Sequence, residues 1–365
     1  MMVATLGIAL PEIRETFALS TTAAGSLFSV MMGVAALTSG IAGRLADKLG
    51  RKRVLITGLS LLALGFSGAG MSGAPVLFFS CLALTGVGYG FTAPSLYAIM
   101  SDLLPHRRGF GASLISVTYG IGGAIGAVLA SRIAGTWGWR AAVVTVGCIA
   151  AADMLLQLSF IRGTQHQRST ARAGDFRSAL SRSLLLLAAI ECIGGSVFWS
   201  CAAWTPTALR GAKMLTLQET GWVMSLLSVA NMVGSFSLGS LSDKLGRKFV
   251  IMASAVPSAV AAFVVFYWLE SALAIGVGLF VFGVLKASVP ALVVALAQET
   301  APPASAGTAA GIIMALHYTS GVIAPLIAGK LIGASGDILL AMVLVSSVPL
   351  VFYAALTAAV RERAI

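Results

Sequence analysis

Apolar residues along this chain come in long continuous runs, and polar residues collect in short clusters between them. A helix needs about 20 mostly apolar residues to cross a membrane. Eleven runs of this order occur, at residues 22–42, 54–73, 76–104, 111–137, 141–160, 184–204, 221–238, 250–269, 272–297, 307–332 and 338–360. A shorter run at 1–10 is followed at once by Pro11, Glu12 and Arg14. It lacks the basic start and small-residue cleavage site of a signal peptide. We read it as the last part of a first helix whose beginning is missing, giving twelve spans.

The polar clusters carry a repeat. Residues 43–53 read GRLADKLGRKR and residues 239–248 read GSLSDKLGRK, identical at eight of ten positions. The offset, 239 − 43 = 196, also pairs Pro94 with Pro290 and Gly111 with Gly307. The chain therefore reads as two related halves in one orientation, residues 1–161 and 184–365, joined by a polar connection at 162–183. Distance along the chain supports the incomplete first span: Leu184 precedes Gly239 by 55 residues, whereas Met1 precedes Gly43 by 42.

Composition places these runs in a bilayer. The 365 residues are 58% hydrophobic and 10% charged, against roughly 25% charged in soluble domains. The net charge of +11 does not point to nucleic acid, because the basic residues lie in short clusters at span ends, the pattern that orients membrane proteins. With residues 43–53 placed inside, 17 of 24 Lys and Arg fall on that side and 5 on the other. Arg132 and Lys286 remain within spans. The expected topology has both termini and the central connection in the cytoplasm, with the chain in the inner (plasma) membrane. Cys81, Cys148, Cys192 and Cys201 lie inside apolar runs without metal-ligand spacing and read as packing residues. No nucleophile–base pair, phosphate loop or metal cluster appears, so neither an enzyme nor a cofactor or metal protein is expected.

Six plus six spans, a long central connection and a G-x-L-x-D-x-x-G-R-K turn after the second span of each half resemble the major facilitator superfamily. The resemblance covers all of the chain except the missing start. It implies an all-α membrane fold of two six-helix bundles related by a pseudo-two-fold axis, a central cavity, and alternating access by rocking. It further implies that the fourth and tenth helices line the cavity, each bent at its proline (Pro94, Pro290); a plain packing kink is the other reading. Two motifs of the superfamily's drug antiporters are degraded. Thr85-Gly86-Val87-Gly88 lacks the preceding arginine, and Ala127 follows Gly126 where a proline belongs.

The charged turns are the first candidate site: Gly43, Asp47, Gly50, Arg51 and Lys52, with Gly239, Asp243, Gly246, Arg247 and Lys248. Gly43 admits close helix ends, and Gly50 permits a tight turn. Asp47 can accept hydrogen bonds from Arg51, and the cluster reads as an inner gate. Membrane orientation alone explains Lys48, Lys52 and Arg53, but not the paired acids.

Ionisable groups inside spans are costly and mark pathways. Lys286, in the tenth span, reads as a binder of an anion or as half of a structural pair. Glu191, in the seventh, reads as a proton carrier or as the partner of Lys286. His317 in the eleventh span is a candidate for coupling or packing, and Tyr89, Tyr119, Trp199 and Asn231 are further cavity candidates. Asp153, in a peripheral helix, reads as structural. Lys286, with Arg132 expected nearby from the other half, favours an anion. The function expected is secondary transport of a small organic anion by proton symport, by a monomer whose partners are the solute, protons and lipid. Drug or metabolite efflux by proton antiport is the alternative.

Overall fold

The computed structural model describes residues 1–104, 108–160, 181–287, 289–301 and 306–360. The side chains of Gly43, Arg44, Asp47, Pro290 and Gly307, among others, lie outside that description. The regular structure among the described residues is helical throughout. Its twelve elements are α1 (Met2–Thr16), α2 (Thr21–Leu49), α3 (Arg51–Met71), α4 (Pro75–Leu103), α5 (Arg108–Phe160), α6 (Arg182–Gly211), α7 (Leu217–Leu245), α8 (Arg247–Tyr267), α9 (Ala272–Ala287), α10 (Val289–Thr300), α11 (Ala306–Ser335) and α12 (Ile338–Ala358). Among the described residues, nine of these are long and apolar enough to cross a membrane.

Helix α5 has 53 residues, about 80 Å at 1.5 Å per residue, far beyond a hydrocarbon core of about 30 Å. It breaks at Gly138, with φ 82° and ψ 163°, a left-handed conformation open chiefly to glycine. The residues on either side form the two spans expected at 111–137 and 141–160. Arg140, an orienting charge by sequence, is tied down at this bend. Its guanidinium donates to the carbonyls of Gly70 (3.3 Å) and Ser72 and lies 4.5 Å from the Trp139 ring.

One boundary differs from that expected. Helix α1 does not stop at Leu10 but runs through Pro11 to Thr16. Its residues Thr5 to Leu10 are all buried, so the helix is enclosed by neighbours on every side. The described residues of the run at 272–297 lie in helices α9 and α10, and residue 288 between them lies outside the description.

The repeat extends to the backbone. Gly50 joins α2 to α3 at φ 93°, ψ 139°, and Gly246 joins α7 to α8 at φ 88°, ψ 140°. The N-caps match as well. Ser20 caps α2 through Ala23 N, and Thr216, 196 residues later, caps α7 through Glu219 N. Only the second is a full capping box, because Ala23 stands where Glu219 would return the bond.

The helices before residue 161 meet those after residue 181 along three seams: α2 with α11, α5 with α7, and α1 with α6. The closest approaches lie toward the end remote from the charged turns. A Cβ on Gly25 would collide with the Pro325 carbonyl, one on Gly221 with the Ser131 hydroxyl, and one on Gly329 would stand 2.6 Å from the Thr21 carbonyl. Ser29 donates to the Val322 carbonyl at 2.5 Å, and Arg210 of α6 meets Glu12 of α1 at 2.5 Å. Toward the charged turns the packing loosens. A methyl group added at Gly40, Gly239 or Gly311 would meet no neighbour within 4 Å, and Leu37 and Tyr119 are exposed. Among the described residues, the contacts between the halves concentrate at the end remote from the charged turns, the closed end.

Candidate functional site

Helices α6, α9, α11 and α12 bring the intramembrane ionisable residues together. Glu191 is 1% exposed, and its Oε1 lies 2.8 Å from Nδ1 of His317. The two helices come this close because Gly195, one turn beyond Glu191, faces α11 with no side chain. A Cβ there would lie 3.2 Å from His317 Nδ1 and collide with Ser320 Oγ. The other carboxylate oxygen, Oε2, is buried without a hydrogen-bond partner, as is the Tyr353 hydroxyl of α12. Tyr353 is within electrostatic reach of Glu191.

Lys286 is 3% exposed. Its Nζ stands 5.0 Å from the centre of the Phe198 ring, a cation–π contact. The expected Lys286–Glu191 ion pair does not form. Among the described residues no carboxylate comes within salt-bridge distance of Lys286, and Glu191 pairs with His317 instead. Glu191 is nonetheless near enough for Lys286 to feel its charge. The physical reason is the geometry of α6: Phe198, seven residues and two turns beyond Glu191, occupies the space in front of the ammonium.

An aromatic wall continues from Phe198. Trp199 is 5.2 Å from Phe198 and 5.8 Å from His317, which is 6.0 Å from Tyr318. Tyr318 stands 6.4 Å from Tyr89 of α4, edge to face, so the wall bridges the two halves. Trp199 Nε1 and Ser320 Oγ both donate to the His317 carbonyl. Tyr119 and Tyr97 lie within electrostatic reach of Tyr89 and Tyr318. Four phenols thus converge where the halves face each other. Phe198 and Tyr97 were not among the sequence candidates. The spacing Glu191–Gly195–Phe198 and the spacing Tyr89–Tyr97 each put their members on one helix face, which was the available signal.

Other candidates fall outside this cluster. Asn231 donates to the Leu227 carbonyl of its own helix at 2.8 Å. Asp153 accepts from Gln157 one turn on. Arg132 is exposed near the closed end, so it does not join Lys286. Pro94 lies inside α4, and Pro290 lies at the start of α10 with its side chain outside the described residues. His317 is therefore drawn into the site through its ring, while Asn231 is engaged in a local bond.

Both arginines of the charged turns are engaged. Arg247 reaches both Asp243 (3.5 Å) and Glu299 (2.6 Å). Its counterpart Arg51 donates to the Ala98 carbonyl at 2.9 Å, while Asp47 and Gly43 lie outside the described side chains. The lysines match: Lys52 donates to the Leu158 carbonyl at 2.8 Å, and Lys248 to those of Ala358 and Val360 at 2.9 and 2.7 Å. Both cap the closing turn of the last helix of their half, a specific role beyond orienting charge.

A helical fold of two repeated halves, with apolar spans of membrane length and ionisable groups buried among them, defines a polytopic membrane protein. The chain belongs to the Major Facilitator Superfamily, whose family model matches residues 1–325 and again 208–364. It is 27% identical over 268 residues to a probable sulfoacetate transporter of Cupriavidus necator, covering 67% of this chain and 61% of that protein. It is 31% identical over 247 residues to the 3-(3-hydroxy-phenyl)propionate transporter of Escherichia coli, covering 66% and 60%. The match thus spans about three fifths of the length of these relatives. In fold it resembles the crystal structure of a bacterial homolog to the human lysosomal transporter Spinster, with a TM-score of 0.84 at 14% identity, over 98% of this chain and 94% of that one.

Proposed function

We propose that the protein is a secondary transporter that carries a small organic anion together with protons across the inner membrane. The two six-helix halves, residues 1–161 and 184–365, rock about the cavity, and the charged turns face the cytoplasm. The observation that carries this reading is Lys286: an ammonium 3% exposed, with no carboxylate in salt-bridge reach among the described residues. A buried charge without a counter-ion costs several kcal/mol, and Phe198 returns only about 0.5–2 kcal/mol of that. An anionic solute completes the site. Sulfoacetate and hydroxyphenylpropionate, named for two relatives, are anions of this kind, and the aromatic wall beside Lys286 suits the second.

The test is uptake by proteoliposomes over a panel of carboxylates, sulfonates, sugars and cationic drugs, with and without a pH gradient. Accumulation of an acid driven by an inward proton gradient is the expected result, lost in Lys286→Gln. Uptake of cations or neutral drugs by proton exchange, unchanged in that variant, would overturn the reading.

A further inference from the structure

We infer that the proton transported with the solute is held by the Glu191–His317 pair, separately from the cation that holds the anion. The inference rests on the anion reading of Lys286 above. The groups that face Glu191 or its pair are few among the described residues: His317 of α11 with Tyr318 beside its ring, Lys286 of α9, Tyr353 of α12, and Cys192 of α6 itself. With the carboxylate ionised, the lysine charged and the imidazole neutral, the empty site is electrically balanced.

Binding one anion at Lys286 leaves the buried site with one net negative charge. Such an imbalance in a low-dielectric interior is costly. One proton restores the balance. It enters from the cavity water, forms one O–H or N–H bond on the pair, and leaves to water on the other side with no other bond changed. The geometry provides for it. With the imidazole neutral, Nδ1–H already donates to Oε1 at 2.8 Å, so the added proton goes to Nε2, giving an imidazolium held by the carboxylate, or to Oε2. Oε2 is buried without a hydrogen-bond partner among the described residues, which leaves it open to take that proton. A Lys286–Glu191 ion pair would have fused anion site and proton site into one; the structure keeps them apart, with Phe198 over the lysine.

Protonation also bears on the inter-half seam. The His317 carbonyl accepts from Trp199 of α6, and five and eight residues further along the same helix α11 meets α2, Val322 against Ser29 and Pro325 against Gly25. Because linkage is reciprocal, solute binding that takes up one proton strengthens as pH falls.

The experiment has two arms. In proteoliposomes, the wild type should accumulate solute about tenfold per unit of pH gradient, the ratio one proton per anion sets. Glu191→Gln should keep solute counterflow, which also reports folding, while accumulation falls to about one. His317→Asn should shift the pH at which solute affinity changes. In the second arm, infrared spectra of the purified protein are titrated without solute. A protonated-carboxyl band present in wild type and missing in Glu191→Gln is expected. If that band is present but no anion is carried, the anion reading fails and the proton site stands. Gradient-driven accumulation by Glu191→Gln, or identical titrations of the two proteins, would overturn the inference.

Discussion

Arg210→Gln removes the one side-chain ion pair described between α1 and α6, at the closed end. Both partners are about a quarter exposed, 26% and 27%, so the pair is worth more than an exposed one and less than a buried one. Exposed pairs contribute about 0.2–1 kcal/mol, and breaking a fully buried one costs about 3–5 kcal/mol. Glu12 Oε2 is buried without a partner, which leaves that carboxylate dependent on Arg210. A loss of about 1–2 kcal/mol of closure follows, or roughly a 5- to 30-fold shift of the two-state ratio toward opening at this end. Spin labels at exposed Trp137 and Ala212, in a background with the four cysteines replaced, would read the separation of the halves. The longer-distance population should grow in Arg210→Gln and in Glu12→Gln, by the same factor in the double variant as in either single one. Distance distributions identical to wild type in both single variants would refute the latch.

Two further outcomes follow from close contacts. Gly195→Ala should separate α6 from α11 at His317, lowering thermal stability by about 1–3 kcal/mol and weakening the pH dependence of solute affinity; an unchanged midpoint of unfolding in detergent would contradict it. Lys248→Met should remove charge-assisted bonds worth about 1.5–3 kcal/mol and speed hydrogen exchange in the last turn of α12, without altering solute affinity; Lys52→Met should do the same at Leu158, and unchanged exchange there would contradict the capping role.

The helices were legible because each run of apolar residues exceeds a membrane thickness, and the duplication was legible because Asp, Gly, Arg and Lys recur at one offset. The capping lysines were not, since a basic residue beside a span end reads the same whether it faces lipid headgroups or a carbonyl 106 residues on. The Glu191–His317 pair was hidden for a related reason. Sequence supplies two charges and a histidine on three helices, and opposite charge suggests Glu191 with Lys286. What decides the pairing is the missing side chain at Gly195 and the ring of Phe198, neither of which carries charge. The end of α1 was obscured because Pro11 looks like a stop, whereas a proline in a membrane helix is tolerated when neighbouring helices satisfy the freed carbonyl.

The seam at the closed end is made largely by Gly25, Gly221 and Gly329 against carbonyls and hydroxyls of the opposite half. Such surfaces have no rotamers to fix on contact or release on parting, so separation and re-closure involve little side-chain entropy. They behave as a dry bearing: two smooth backbones that can part and meet again in the same register. The balance between the two states is then left to a handful of polar contacts, Glu12 with Arg210 and Ser29 with Val322 among them. A chain built this way can be biased by small forces, such as one proton or one bound anion, where an interlocked side-chain interface would resist them.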